Sequence, residues 1–432
     1  MRDYFHVRDG DHNRLPDEEI VHNSAEGVRY LRAQDLQDGT ITAADPVYVT
    51  QRYYETISRS HIRPGYLLFS IMGSIGNQAI VPEGFPPATA NRAVGILVPK
   101  SEDQTLTRFL FQLFLTNLGA QLYQRVKKGG LQKRTNLADV DELEFPLVPE
   151  PDRSRIVAAF DAARKARRRK LEEAESLLVD LDGIVLEIIG LKSTSLEPRR
   201  VGAIRRKSLD GPLNAERYLE NSPAARLRHD ASLPLDEVFD VIDEKITPAE
   251  SAPKKLWACL RIDDLGNEPL DPPNPRRIAG EELVGTFFTT RKADLLIARL
   301  GPPLLNGKIV VARECEARTV CSPEFLVLRA NGRYDPDVAM WILRSRVFRR
   351  VLYSKCRGST PSRYRLVREE LSGVRLPLLS EGQRKRIAAE VARRRDAARR
   401  LRDEAARLWD DAKRRFEEEL FGAPVPSQRG GR

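Results

Sequence analysis

Three short stretches hold residue types that could do chemistry. DVIDEK, Asp240 to Lys245, sets Asp243 and Lys245 in the Asp-x-Lys spacing of a metal-dependent nuclease, with Asp236 as a second carboxylate. Such a site needs two carboxylates on neighbouring strands to share the metal, and a solvated acidic turn is the simpler reading. DPPNP, Asp271 to Pro275, has the outline of a loop that stacks an aromatic on a flipped base. Its fourth residue is Asn274, and no strand followed by a glycine-rich cofactor loop accompanies it, so it reads as a proline-stiffened loop. GSIGN, Gly73 to Asn77, lacks the Lys-Ser/Thr of a phosphate cradle, and no helix follows it; a tight hairpin or glycine-rich bend is the expectation. Cys259, Cys315, Cys321 and Cys356 form no CxxC pair, and the five histidines have no ligand spacing. No metal site is predicted, and the thiols read as reduced and idle. No Ser-His-Asp or Cys-His arrangement stands out.

The basic loops point elsewhere. Lys127, Lys128, Lys133 and Arg134 cluster around Gly129-Gly130, and Lys355, Arg357, Arg363 and Arg365 cluster around Gly358. Lys and Arg neutralise backbone phosphates and position a protein on nucleic acid, whereas Arg, Asn and Gln read base edges. Asn77, Gln78, Asn91, Arg92 and Gln132 have the chemistry for base readout in the first half of the chain, and Arg299, Asn306 and Lys308 in the second. The net charge of +10 favours a polyanionic partner.

That both halves hold the same loop reflects an internal repeat. YLRAQDLQDGTI from Tyr30 parallels CLRIDDLGNEPL from Cys259, with Leu31 and Leu260 229 positions apart. RPGYLLFSIMGSIGNQAIV from Arg63 parallels RKADLLIARLGPPLLNGKIVV from Arg291, with Leu68 and Leu296 228 apart. KKGGLQKR parallels CRGSTPSR, with Gly130 and Gly358 again 228 apart. FPLVPEPDRSRI parallels LPLLSEGQRKRI, with Ile156 and Ile387 231 apart. Four blocks in one order at a nearly constant offset make the chain two copies of one unit. Each copy begins with short β-branched and aromatic runs punctuated by Gly and Pro, which predict strands and turns. A helix follows, Leu106 to Val126 or Val338 to Ser354; then come the basic loop, a strand into PLVP or LPLL, and a long helix.

The long helices show a seam. Ile387, Val391, Ala398, Leu401, Ala405, Leu408 and Ala412 step by four and three, with Arg394 in one slot. Leu171, Ala174, Leu178, Leu181, Val185 and Ile188 do the same, and the register runs back through Arg167, Arg164, Phe160 and Val157. This spacing predicts a coiled-coil seam. Rods of about 50–60 Å follow from the rise per residue, and they pair most economically with each other, antiparallel. An arginine in a seam costs stability but fixes register. The chain opens with no apolar leader and has no apolar run of spanning length, so a cytoplasmic protein with no membrane partner is expected.

These features together resemble the specificity (S) subunits of type I restriction–modification systems. In that family each globular unit closes with a phrase that Gly129, Gln132, Asn136, Leu143, Pro146, Leu147, Pro149 and Ile156 match here. Gly358, Leu371, Pro377, Leu378, Glu381, Gln383 and Ile387 match it in the second copy. LLFSIMGSIGNQAIV is similar to the family's glycine-punctuated strand pair, and LNAERY, Leu213 to Tyr218, to the phrase that introduces the second unit. The chain departs from the pattern at Asp152-Arg153, where Glu-Gln is common, at Thr360-Pro361, and in a short lead-in before DYFHVRDG. The resemblance implies an α+β fold, with two β-rich target recognition domains separated by two long antiparallel coiled-coil helices in a pseudo-twofold repeat. The expected layout is recognition domain one at 1–150, a spacer helix at 151–191 and recognition domain two at 192–379 with a lead-in at 192–230. A second spacer helix at 380–421 and a disordered tail at 422–432 follow. The resemblance further implies a non-catalytic subunit in which each domain reads half of a bipartite site in double-stranded DNA. The helices would set the spacing and dock two adenine methyltransferase subunits. It implies no cofactor in this chain: S-adenosylmethionine belongs to the methyltransferase, and ATP and Mg to a restriction/translocase subunit. Two rival expectations are a specificity subunit of a related methylation-based phage defence and a coiled-coil scaffold binding nucleic acid without sequence preference.

Overall fold

Among the described residues, nine strands of each half of the chain match one another in the same order, beside short strands that do not recur. The structure is a computed structural model that describes residues 1–421 except 23–24, 38, 43–44, 73–76, 126, 129–133, 180, 192–226, 228, 266–274, 314, 316–318, 359 and 361–362. It also leaves aside the side chains of Lys127, Lys128 and Arg134. Two units are distinct: Met1–Lys170 with Glu404–Arg432, and Leu171–Asp403.

In unit one the strands are β1 (Phe5–Asp9), β2 (Ile20–Val21), β3 (Val28–Leu31), β4 (Val47–Val49), β5 (His61–Ile62), β6 (Leu67–Ser70), β7 (Gln78–Ile80), β8 (Ala88–Ala90) and β9 (Val94–Pro99). In unit two they are β10 (Phe239–Ile242), β11 (Lys245–Ile246), β12 (Leu256–Leu260), β13 (Arg276–Ala279), β14 (Phe287–Thr289), β15 (Leu295–Ala298), β16 (Ile309–Val311), β17 (Thr319–Cys321) and β18 (Phe325–Ala330). One antiparallel sheet runs β1-β9-β6-β7, and its counterpart runs β10-β18-β15-β16. A second sheet runs β4-β3-β8-β5, and its counterpart runs β13-β12-β17-β14; in each, the central pair alone is parallel. The copies differ at one edge. β2 adds beside β4, whereas β11 adds at the opposite edge beside β14. Chain length between strands accounts for this: residues 10–19 link β1 to β2, but only Asp243 and Glu244 link β10 to β11.

The apolar runs LLFS and LLIA place every residue of β6 and β15 in a core. Side chains alternate across a strand, so Leu67 and Phe69 enter one core while Leu68 enters another with Val94 and Ile96. Leu295 and Ile297 divide from Leu296 and Ala298 in the same way. A strand covered on both faces reads as continuous apolar sequence, and burying each such side chain is worth about 1.5–3 kcal/mol.

The helix expected at Leu106 to Val126 is two, α1 (Gln104–Leu115) and α2 (Asn117–Arg125). The second copy matches with its own pair, Pro336–Arg344 and Arg346–Ser354. The physical reason is a hydroxyl at each break. Thr116 Oγ1 donates to the Leu113 carbonyl at 2.7 Å, and Ser345 Oγ to that of Ile342 at 2.7 Å. Both residues are extended, with ψ of 170° and 147°. Asp103 and Asp335 cap the two copies alike, each accepting from the backbone N–H groups two and three residues on. The strand expected in both closing phrases forms only in the second, where Arg375–Pro377 pairs with Ser232–Pro234; residues 143–149 make no strand.

The long helices are α3 (Asp152–Val179), a further segment at Leu181–Ile188, and a C-terminal helix at Glu381–Phe421. In unit one, Phe160 packs edge-on against Trp409 at 5.0 Å and Phe416 at 5.3 Å. Arg155 meets Glu419 at 2.6 Å and Lys170 meets Glu404 at 2.6 Å. In unit two, Ala174, Leu178, Leu181, Val185 and Ile188 share one core with Ile387, Val391 and Ala398. There Arg394 donates to the Leu177 carbonyl at 3.1 Å and Gln383 to that of Ile188 at 2.9 Å. Within each unit the partner's number falls as the residue number rises, so the contacts run antiparallel. Ala405 is buried, and Leu171, Leu401 and Leu408 are half-buried. Charge sorts in the same sense. Residues 171–188 hold no Lys or Arg but include Glu172, Glu173, Glu175, Asp182 and Glu187, while RKR and RRR runs crowd residues 384–395. Opposite charge across facing helices favours this pairing over a parallel one. Phe160→Ala is expected to destabilise unit one by about 3–5 kcal/mol. In a urea titration the transition of unit one should move to lower denaturant while that of unit two stays in place.

Candidate nucleic-acid interface

In unit one the basic loop leaves α2 as a two-stranded ribbon. Lys127 pairs with Thr135 and Lys128 with Arg134. Gly129, Gly130, Gln132 and Lys133 lie outside the described residues. The ribbon's base is tied down: the Thr135 amide donates to the Ile71 carbonyl at 3.1 Å, and the Tyr123 hydroxyl to that of Ser70 at 2.9 Å. Burial pushes the Tyr123 phenol up to about 12, so it stays a donor at neutral pH. The ribbon is therefore rooted at the end of β6.

The second loop has a closer-fitting root. Arg357 and Arg365 exchange backbone hydrogen bonds of 2.9 and 2.8 Å. A side chain at Gly358 would bring its Cβ to 2.6 Å from the Arg363 carbonyl oxygen, so the residue is glycine because the two limbs touch. The Leu366 amide donates to the Arg299 carbonyl at 2.8 Å and the Gly301 amide to that of Tyr364 at 2.9 Å, which seats the loop on the end of β15. Arg357 is held by Glu370 at 2.7 Å and Arg365 by Glu324 at 3.0 Å. Arg363 is exposed and makes no ion pair among the described residues. Lys355 is half-buried beside Gly373. The two glutamates were not legible as site residues: Glu370 belongs to a Glu-Glu pair that reads as ordinary surface charge, and Glu324 lies in a turn far ahead of the basic loop.

The residues expected to read bases are scattered. Gln78 is buried, and its amide donates to the Phe111 carbonyl at 3.1 Å, joining β7 to α1. Asn91 turns its side-chain oxygen onto the Ala93 amide at 3.1 Å. Asn77 is half-buried and its backbone amide donates to Ser70 Oγ at 3.1 Å, whereas Arg92 is exposed. In unit two, Arg299 reaches the Leu366 and Pro323 carbonyls at 3.4 and 3.5 Å. Asn306 is exposed at the end of the helix Gly301–Leu305. Lys308 gives its ammonium to the Leu265 carbonyl, and burial moves its pKa down. The amide of Gln78 and the ammonium of Lys308 are thus committed inside the fold, while Arg92, Asn306 and Arg363 face solvent.

The rival sites gain no partners. Asp243 pairs with Lys245 at 3.3 Å, and the Lys245 ammonium lies 5.9 Å from the Phe288 ring centroid. Among the described residues no group of three His, Cys, Asp or Glu could hold a metal. Asp271 to Asn274, Gly73 to Gly76 and Leu213 to Tyr218 lie outside the described residues. None of the four cysteines forms a disulfide, and burial pushes the Cys321 and Cys356 thiols up to about 12, which keeps them unreactive. No described helix is long and apolar enough to cross a membrane.

The seam arginines find neighbours. Arg164 lies 4.8 Å over the Phe111 ring and Arg167 5.2 Å over that of Trp409, while Glu390 holds Arg394 at 2.8 Å. Two Arg–Glu bonds bring the Glu390 carboxyl down to about 2.

One solved chain is similar in fold, and two more align more weakly. A chain of a solved structure concerned with complex assembly and conformational transition of the type I R-M system is similar, with a TM-score of 0.52 and 16% identity over 97% of this chain and 98% of that one. The HsdS subunit from Thermoanaerobacter tengcongensis aligns at 18% identity and TM-score 0.34 over 91% of this chain and 89% of that one. The type I restriction-modification S subunit from M. genitalium aligns at 13% identity and TM-score 0.40 over 99% and 95%. No curated protein matches the sequence. Residues 3–175 match the family described as type I restriction modification DNA specificity domain.

Proposed function

We propose that this chain is the sequence-reading subunit of a type I restriction–modification complex, with no catalysis of its own. Each unit reads one half of a bipartite site in double-stranded DNA. The paired long helices hold the halves at a fixed separation, as a fixed spacer does in dimeric DNA binders. Two adenine methyltransferase subunits dock on the chain, bringing S-adenosylmethionine, and a restriction/translocase subunit brings ATP and Mg. The observation that carries this reading is the nine-strand plan that occurs twice, each time leading through a basic loop into a long helix. The test is co-expression with a neighbouring methyltransferase followed by methylome sequencing. A split adenine motif is expected, and its absence would falsify the reading. Binding that is equally tight on every duplex at each salt concentration would instead leave a non-specific basic scaffold.

Leu147 and Leu378 support docking of two identical partners. They occupy the same place in the repeated phrase, just ahead of each long helix, and both are exposed, at 40% and 52%. Changing either to Glu is expected to leave one methyltransferase per chain, and changing both to leave none, as counted by native mass spectrometry. Two partners retained on the double variant would refute the assignment of these leucines.

A further inference from the structure

The linker at residues 10–19 of unit one has no counterpart in unit two, where Asp243 and Glu244 join the matching strands. Asp11 is buried in it. Its carboxylate accepts from the Tyr53 hydroxyl at 2.6 Å, the Tyr30 hydroxyl at 3.5 Å and the Asn13 amide at 3.0 Å. Burial moves both phenols up in pKa, so both stay donors at neutral pH. The Asp11 amide in turn donates to the Ala90 carbonyl at 2.7 Å. A Cβ at Gly10 would stand 2.2 Å from the Asn91 carbonyl oxygen, so glycine here lets the linker lie directly on the turn at 91–93. A satisfied buried network holds one conformation. This one holds a tip, His12-Asn13-Arg14, that is exposed at all three residues. Asp9 bonds the His12 ring at 2.5 Å and Arg59 at 3.2 Å, and the exposed acids of the linker, Asp17 and Glu18, come only after Pro16. Arg14 makes no hydrogen bond or ion pair among the described residues.

The tip adjoins the basic ribbon through a run of backbone bonds. Arg92, at the centre of the turn, is exposed and likewise makes no ion pair among the described residues. The Ile71 amide donates to the Ala93 carbonyl at 2.9 Å, and the Ile71 carbonyl accepts from Thr135 at the root of the ribbon. Linker, turn and ribbon root are thus neighbours at the end of β6. Unit two has the same turn without the cation. Its Ser322 amide donates to the Leu260 carbonyl at 2.9 Å, as that of Asn91 does to Leu31 at 2.9 Å, and its Arg299 amide donates to the Glu324 carbonyl at 2.8 Å. Pro323 therefore stands where Arg92 does and Glu324 where Ala93 does. The turn presents a cation to solvent in unit one, whereas in unit two its Glu324 binds Arg365.

We propose that the linker tip and the turn at 91–93 form a second DNA-contacting edge of unit one, with Arg14 and Arg92 each on a backbone phosphate, and that unit two has no such edge. This rests on the DNA reading proposed above and adds an asymmetry between the two readers. Two guanidiniums without carboxylates, on a braced support beside a basic ribbon, match the contacts that fix a protein's position on a duplex without reading its sequence. Unit one accordingly grips its half-site through more phosphates than unit two grips its own.

The test is binding of the full chain to a duplex carrying the methylated motif and to a scrambled duplex, from about 50 to 200 mM salt. Arg14→Gln and Arg92→Gln alter exposed, unpaired side chains and should fold like the parent. Each is expected to lower the steepness of log K against log salt by about 0.9, and the double variant by about 1.8, equally on both duplexes. Each single variant should bind roughly eightfold more weakly at about 0.1 M salt. Arg63→Gln removes an exposed cation ahead of β6, at the strand end away from the ribbon, and should leave the steepness unchanged. The edge is refuted if either single variant keeps the parent's steepness. It is refuted too if Arg63→Gln lowers the steepness as much, because net charge rather than position would then be at work. A loss confined to the motif duplex would refute the phosphate assignment in favour of base readout. A parent that binds both duplexes alike, with variants that still lose steepness, would overturn sequence reading and leave the edge standing; a parent that binds neither duplex overturns both.

Discussion

Exchanging residues 1–150 for the matching domain of another specificity subunit is expected to change one half of the methylated sequence and leave the other half intact. The strands of each sheet in unit one come from that unit, and its basic ribbon is rooted within the same unit at Ile71 and Ser70. Each lost base contact costs about 1–3 kcal/mol, so discrimination at the old half-site should fall roughly 5- to 150-fold per base while the second half keeps its preference. The incoming domain must retain Phe109 and a free backbone amide at the position of Leu118. Phe109 packs on Phe416 at 5.3 Å, and the Leu118 amide donates to Glu417 at 2.7 Å; without them the exchange tests folding rather than reading. Methylome sequencing is the measurement. Two unchanged half-motifs after a well-folded exchange would show that unit one does not read DNA.

The second large effect is on spacing. One heptad inserted after Lys170 and another before Glu404 keeps the Lys170–Glu404 register antiparallel and lengthens both rods by about 10 Å. At 3.4 Å per base pair that is about 3 base pairs. The gap between half-sites should grow by that amount, but methylation should weaken, because 3 base pairs also turn the second half-site by roughly 100° on a duplex of about 10.5 base pairs per turn. Three heptads in each helix, about 31 Å or about 9 base pairs, come close to a full turn and should recover much of the activity. An unchanged gap in both variants would mean that the helices are not the ruler.

Much of the architecture was legible because it is periodic. The repeat offset of 228–231, the alternating cores of β6 and β15, and the three-four spacing from Ile387 to Ala412 are local patterns that folding preserves. The breaks at Thr116 and Ser345 were not legible. A lone hydroxyl inside an apolar helix pattern looks tolerable until it bonds back to the carbonyl three residues earlier. Residue type alone also misjudged exposure. Gln78 looks like a surface reader, but its amide closes a contact between β7 and α1 that only the packed sheet creates.

By itself, the sequence determined that one plan is used twice, that each copy ends in a long helix, and that each basic loop sits just before that helix. These follow from composition and period along the chain. Tertiary structure decided which edge received β2 and β11, which cations were taken by Glu370 and Glu324, and which were left facing solvent, like Arg363. It also decided that Arg164 would lie over the Phe111 ring and reach the Gly39 carbonyl. The reason is physical: a charge is defined by its neighbours across space, and those neighbours are set by linker lengths and packing that no single stretch of sequence contains.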